Sequence, residues 1–582
     1  MNKRNFPSNK NSRTGSVDEN RATSLEEKRQ LIEAKRLRVV LIILAIPLFA
    51  MFAKLVDYDI VNVDRYTALA NERRVVESTL YAKRGTIYDR TGNILATSVE
   101  CHNVFLNPNA VEDDQAVIDA FEDILNIDPK ETRKMLSQDT TFTYVRHKVD
   151  EVDCDKLRAL HIVGIDFEPT VKRVYPYGNL CAQVLGVVGV DNQGLTGLEL
   201  YYNDILSGVD GTFARELGRD GSYIAGGSYE LLPAVDGTDI VLSIDANLQE
   251  IAETELKAAV ERSESEYGSV CLIDPRNGEI LAAASYPTFD PSDLSTAASA
   301  DLNLRLVTDS YEPGSTFKPF TASIALDSGS MTDSTSIEVP PMLLVGDDEV
   351  TDVDKRDWRM DMDLREILRR SSNTGIALVG QSAGQDTFAS YIDAFGFGTP
   401  MGIDFPGEIS GFVTQRADYN GATVGAMSFG QAVSVPPIQI IRAMTAIAND
   451  GTMTTPHFLI SAGENKANWS KLDVHVISES TADQVADYMQ TVVDEGTGSA
   501  GHIDGYALSG KTGTAQIAND AGGYAEDAYF ASFIGFGPTP EPCVMGYINL
   551  CGTLGTGGGF AAPAFGNIMS ETLLDLGIYP SE

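Results

Sequence analysis

Residues 311–320 read "YEPGSTFKPF". Pro313 and Gly314 signal a turn, and Ser315 then stands three residues before Lys318. A helix near 316–327 would place the Ser315 hydroxyl and the Lys318 ammonium on one face, within hydrogen-bond reach. A serine there can be an N-cap. It can also be a nucleophile with its base beside it. We expect one geometry to serve both, with the Ser315 backbone N–H left free. Taken alone, S-x-x-K is common by chance, so the rest of the chain has to decide.

Two further motifs follow in order. "SSN" at 371–373 falls at a junction between helices expected near 363–372 and 374–382, and "KTG" at 511–513 lies in the strand-like stretch "YALSGKTGTAQI". Alone, Asn373 would be a helix cap and Lys511-Thr512-Gly513 an edge-strand turn. Together the three make a reactive set. A serine hydroxyl needs a base, and Lys318 can be one if burial and a neighbouring cation depress its pKa; Lys511 would be that neighbour. Ser371 can relay a proton, and Asn373 can hold a substrate amide. An exposed strand can take up an extended peptide, with Gly513 leaving room for the approach. Thr512 and Thr514, with Lys511, suit a substrate carboxylate. The backbone N–H groups of Ser315 and Thr514 would form an oxyanion hole.

The bulk composition agrees with an exported enzyme. The 582 residues suggest three or four domain-sized pieces. The formal charge of −39 argues against nucleic acid as a partner. Residues 1–38 nevertheless carry ten Lys/Arg against five Asp/Glu. The next stretch, "VVLIILAIPLFAMFAKLV" (39–56), is apolar all round, and eighteen helical residues reach about 27 Å, close to a bilayer core. We expect a cytoplasmic tail (1–38) and an uncleaved single-pass membrane anchor (39–56). The basic "KRLR" flank sets the N-terminus in the cytoplasm and everything from residue 57 outside it. Six cysteines and six histidines are scattered without metal-ligand spacing, so neither a metal nor a cofactor is expected.

Two matches mislead. "GYALSGKT" (505–512) spells the phosphate-loop pattern, yet no buried strand precedes it and no helix follows. "GTGSAG" (496–501) spells a dinucleotide fingerprint but follows a helix.

The overall expectation is an α+β protein. Residues 57–235 form a β-leaning, non-catalytic pedestal, with strands at Thr86–Tyr88 and Ile94–Thr97 and a helix over "KVDEVDCDKLRAL" (148–160). Residues 236–582 form one catalytic domain. It opens with a strand at Ile240–Ile244, a helix from Asn247, and a hairpin of Ser269–Ile273 and Ile280–Ser285 turning at Pro275–Gly278. Further helices are expected near 385–395, 435–450 and 480–494, with strands at "AYFASFIGFG" and "CVMGYINL".

The S-x-x-K, S-x-N and K-T-G series is that of penicillin-binding proteins and class A β-lactamases. The chain resembles a class B penicillin-binding protein, a membrane-anchored peptidoglycan D,D-transpeptidase. "RGTIYDRTGNILATS", "RVYPYGNLCAQVLG", "GLTGLELYYNDILSG", "DPRNGEILAAASYPTFDPSD" and "GQAVSVPPIQIIRAMTAIANDG" all look like blocks of this family. "YEPGSTFK" and "SSNTG" are closer to its division branch. The likeness covers nearly everything after the anchor. It departs at Leu304-Arg305, where the family usually has Asn-Arg.

This resemblance implies a pedestal (dimerisation) domain and a serine β-lactamase-like transpeptidase domain. It also implies stem peptides ending in D-Ala-D-Ala as substrate, β-lactams as inhibitors, and a SEDS-type glycosyltransferase among division or elongation partners. The alternative is a D,D-carboxypeptidase or β-lactamase-type hydrolase. Against it, a secreted hydrolase has no use for an anchor and pedestal. A sensor would need further spans and a metalloprotease signature.

Overall fold

The apolar run folds as part of one long helix, α1 (Ser16–Val56), in a computed structural model that describes residues 16–66, 75–217, 223–518 and 524–581. Within Leu31–Val61 an eighteen-residue window has a mean hydropathy of 2.7 and is not buried against protein, so the helix is long and apolar enough to cross a membrane once. It begins well before the expected 39–56 and ends with it at Val56, where a short π-helical turn, Asp57–Val61, follows. No turn residue interrupts the preceding polar stretch, and Pro47 is absorbed inside the helix.

Residue contacts divide the chain into two units. The first comprises residues up to Ser78 with Thr212–Leu232; the second comprises Thr79–Gly211 with Pro233 onward. The first holds α1 and most of a three-stranded sheet, in which Gly211–Leu217 lies between Val75–Leu80 and Tyr223–Leu232.

In the second unit, a seven-stranded sheet is built on Ile94–Leu106, which pairs with Ile87–Tyr88, Thr143–Asp150 and Ile165–Val174. The expected short strand at 94–97 thus runs on to Leu106. The expected helix at 148–160 begins only at Glu151, because Val149 and Asp150 are held in the ladder opposite His102 and Cys101. Ile240–Leu242 also joins this sheet, parallel to Ile87–Tyr88. A strand expected to open the catalytic domain is therefore hydrogen-bonded to the pedestal strands. Beneath them Arg84, Arg173 and Glu199 form a buried ion cluster. Arg84 Nη2 and Arg173 Nε donate to the two Glu199 carboxylate oxygens at 2.8 and 2.6 Å.

The second sheet of this unit carries the motifs. Its strands are β1 (Tyr267–Ile273), β2 (Ile280–Tyr286), β3 (Ser509–Ala518), β4 (Tyr524–Gly537) and β5 (Val544–Thr553). They run in the antiparallel order β2-β1-β5-β4-β3. The expected hairpin at 269–285 is β1–β2, closed at Gly278 with φ 84°. Both faces are covered, so strands such as "VMGYINLC" read as nearly continuous apolar runs. Val544, Ile548 and Leu550 pack towards α2 (Ala246–Ser263) and the C-terminal helix Ala562–Asp575. Met545, Tyr547 and Cys551 join the opposite core, which includes α3 (Lys318–Asp327), α4 (Asn373–Ala383) and α5 (Glu479–Glu495). The six cysteines are all free thiols.

Candidate active site

Pro313 and Gly314 set Ser315 on a single 3₁₀ turn, Gly314–Phe317, which feeds directly into α3. The left-handed Gly314 (φ 55°) sits against another left-handed glycine, Gly430. A Cβ on Gly430 would lie 2.2 Å from the Gly314 carbonyl oxygen. Ser315 does not cap the helix: no side-chain capping bond exists at either start, and Phe317 holds the N-cap position of α3. The expected double role is corrected to a hydroxyl held at the turn without local use. Tight 3₁₀ winding places it inside the first turn instead of ahead of it.

Lys318 is fully buried, and its ammonium donates to the Ser371 carbonyl (2.5 Å), the Ser371 hydroxyl (3.1 Å) and Asn373 Oδ1 (2.7 Å). Lys511, equally buried on β3, donates to the same Ser371 hydroxyl at 3.0 Å and to the Thr512 carbonyl and hydroxyl. One serine hydroxyl therefore bridges two lysines. Burial, and next the charge of Lys511, hold the Lys318 amine well below the usual lysine range, partly opposed by the Asp352 carboxylate. Burial alone brings Lys511 down to about 7. The expected Ser315–Lys318 contact is not made, because the three Lys318 donors are taken by Ser371 and Asn373. A Lys318 that donates all three bonds carries a full complement of protons, so it can act as a base only after losing one of them.

Ser371 caps the helix Leu364–Arg370 in the left-handed region (φ 57°, ψ 41°). Its neighbour Ser372, not Asn373, is the N-cap of α4, accepting from the Gly375 N–H at 3.0 Å. Asn373 is freed for the site: its Nδ2 donates to the Thr351 carbonyl while its Oδ1 faces Lys318. On β3, the space a Gly513 Cβ would need is filled by Ser532 and Thr316, so this glycine lets the strand pack against the Ser315 turn. Thr512 Oγ1 lies 3.1 Å from Thr497 Oγ1, and Thr514 Oγ1 accepts from the Gly557 N–H. Because β3 is the edge of the sheet, its outer backbone groups remain open for pairing.

Over these groups opens a cleft of about 320 Å³, lined by Ser315, Asn373 and Thr514 together with Glu349, Thr351 and Gln431. A cavity of similar size, about 310 Å³, lies against Tyr177, Glu253 and Tyr286 and contains none of the three motifs. The structure thus brings together all eight residues expected from sequence. Sequence reasoning missed Thr351, Asp352 and Gly430. The first two sit in the acidic stretch "EVTDVDKRD", where nothing distinguishes one carboxylate from the next.

Residues 268–570 match the penicillin-binding protein transpeptidase domain, and residues 79–242 match the penicillin-binding protein dimerisation domain. The chain belongs to the class B penicillin-binding proteins. Among relatives of this penicillin-binding protein, stage V sporulation protein D of Bacillus subtilis is 32% identical, over 94% of this chain and 86% of its own length. A protein of Neisseria meningitidis named "Probable peptidoglycan D,D-transpeptidase PenA" is 31% identical over 95% of each chain. Penicillin binding protein 2X from Streptococcus thermophilus has a solved structure that superposes with a TM-score of 0.74 at 26% identity. The match covers 87% of this chain and 83% of that one. Cross-linking of cell-wall peptides is the activity that the transpeptidase domain gives this penicillin-binding protein. The comparisons do not favour the hydrolase alternative.

Proposed function

We propose that this penicillin-binding protein cross-links peptidoglycan stem peptides by two acyl transfers through Ser315. The observation that carries the reading is the pair of buried lysines, both bonded to the Ser371 hydroxyl beneath a cleft that Ser315 lines. A lysine held well below its usual pKa by burial gives up its proton more readily and so can serve as a base. Lys318 Nζ takes the Ser315 proton as Oγ attacks the carbonyl carbon of the penultimate D-Ala. The oxyanion is held by the backbone N–H groups of Ser315 and Thr514. Ser371 passes the proton on to the leaving D-Ala amine. The amine of a second stem peptide then attacks the acyl-enzyme, and its proton returns by the same route. Asn373 holds the donor peptide's amide. Lys511, Thr512 and Thr514 hold the terminal carboxylate, and Gly513 keeps strand and turn in contact.

β-Lactams present the same carbonyl in a ring and acylate Ser315, with slow deacylation. The chain divides into a cytoplasmic tail (1–38), a membrane anchor (39–56), a pedestal (57–235) and a transpeptidase domain (236–582). Catalysis takes place on the outer side of the bacterial membrane, in septal wall synthesis beside a SEDS-type glycosyltransferase. The basic flank before the anchor supports this orientation.

Fluorescent-penicillin labelling of wild type and Ser315→Ala tests the reading. Wild type labels and the variant does not. Labelling that survives in Ser315→Ala, or a wild type that stays dark beside a labelled control protein, overturns it. An acyl-enzyme that turns over in milliseconds would favour the hydrolase.

A further inference from the structure

Ser371 and Asn373 face the lysines from a helix end whose backbone is closed by the Ser371 and Ser372 N–H groups, which donate to the Leu368 and Ile367 carbonyls. Ser371 is a non-glycine residue in the left-handed region, a conformation strained for any residue with a Cβ. That turn points both its carbonyl and its hydroxyl at Lys318. On either side of Asn373 the chain is held by one carboxylate, Asp352, only 5% exposed. Its Oδ1 accepts the Thr374 N–H at 3.0 Å. Its Oδ2 accepts the Ser372 hydroxyl at 2.8 Å and the Thr374 hydroxyl at 3.0 Å.

The Asp352 charge is met by Arg356 Nη2 at 2.9 Å. Arg356 in turn donates to the carbonyls of Val339, Pro340 and Trp358, which fixes the carboxylate in place. The residue before Asp352 completes the device. The Thr351 carbonyl accepts from Asn373 Nδ2, leaving only Oδ1 free to turn to Lys318. An amide held at both ends cannot flip.

We infer that Asp352 is a positioning residue for acyl transfer: with Arg356 it clamps Ser372 and Thr374 so that Ser371 and Asn373 meet Lys318 in working geometry. The inference rests on the reading of Ser371 and Asn373 as working groups. Asp352 touches no substrate and acts through its neighbours. Asn in its place keeps the shape but turns Oδ2 into an N–H₂ donor facing the Arg356 guanidinium, so the Ser372–Thr374 clamp opens. Displacements of an ångström at such groups cost about 10- to 100-fold in rate.

The test is stopped-flow acylation of the purified protein by a fluorescent penicillin, resolved into initial binding and the covalent step, with thermal midpoints measured alongside. For Asp352→Asn we expect the covalent step to fall about 10- to 100-fold, with initial binding changed less than about threefold. Ser372→Ala removes one of the clamp's bonds and should show a smaller loss in the same step. A folded Asp352→Asn whose covalent step stays within twofold of wild type overturns the inference. If that variant does not fold, Ser372→Ala decides: an unchanged covalent step overturns the inference, and a severalfold loss supports it. A wild type that is not acylated at all overturns instead the reading of Ser315 as nucleophile.

Discussion

Two clusters of buried charge lie in the same unit of this protein, and they are built on opposite plans. In the pedestal, Arg84 and Glu199 have fully buried side chains and Arg173 nearly so, and the carboxylate takes a charged bond from each arginine. Arg84 Nε adds a second bond to that carboxylate, and its other donors end on the Asn192 carbonyl, the Asn203 side chain and the Glu199 carbonyl. In the catalytic domain, Lys318 and Lys511 are just as buried, yet all six of their bonds end on neutral oxygens. Guanidinium cannot give up its proton inside a protein, so it has to be paired; an ammonium can, so leaving it unpaired makes it a base. A carboxylate between two guanidiniums gives a fixed scaffold, whereas an ammonium with no carboxylate partner can serve as a base.

The widest break in the comparison is expected at Lys318. Lys318→Ala should slow β-lactam acylation by about 10²- to 10⁴-fold, the usual range for a lost general base, with Ser315 still in place. Rapid-mixing kinetics with fluorescent penicillin would read the loss, and acylation at the wild-type rate would remove Lys318 from the mechanism. In the pedestal, Glu199→Gln leaves two arginines facing a neutral group and should cost about 3–5 kcal/mol in denaturant unfolding. Its surviving folded fraction should acylate normally. A variant that kept full stability would show that the cluster is not held by its charge.

Smaller effects should appear as displacements along the pH axis. Because Lys511 helps hold the Lys318 pKa down, Lys511→Met lets Lys318 keep its proton to higher pH. The rising limb of acylation against pH should move upwards. Lys511 itself sits at about 7 when folded and near 10.5 when unfolded. Between those values the unfolded chain binds the extra proton, so this group makes stability increase with pH from about 7 towards 10.5 and withdraws that contribution as pH falls through 7. Unfolding free energies of wild type and Lys511→Met at pH 7 and 9 should diverge accordingly. Parallel values at the two pH values would place the shift elsewhere.

Sequence disclosed the motif residues because their chemistry is carried by side-chain type and order, as with Ser315, Lys318 and Lys511. It disclosed the β1–β2 hairpin because Asn277-Gly278 punctuates two apolar runs. It misplaced what depends on partners distant in the chain. Val149 and Asp150 looked helical until strand 94–106 claimed them. Gly513 looked like room for substrate until the Ser315 turn was found packed against it. Asp352 looked like one acid among many until four donors converged on it.

The open edge at β3 has a consequence for how this protein behaves towards copies of itself. A strand edge that receives an extended peptide is equally ready for the edge of another molecule, and such pairing is how sheet proteins stick together. With a formal charge of −39, two copies repel at the distances where their edges would first meet. Salt screens that repulsion within roughly 10 Å at 0.1 M. The net negative charge thus opposes edge-to-edge pairing between copies while the edge itself stays open.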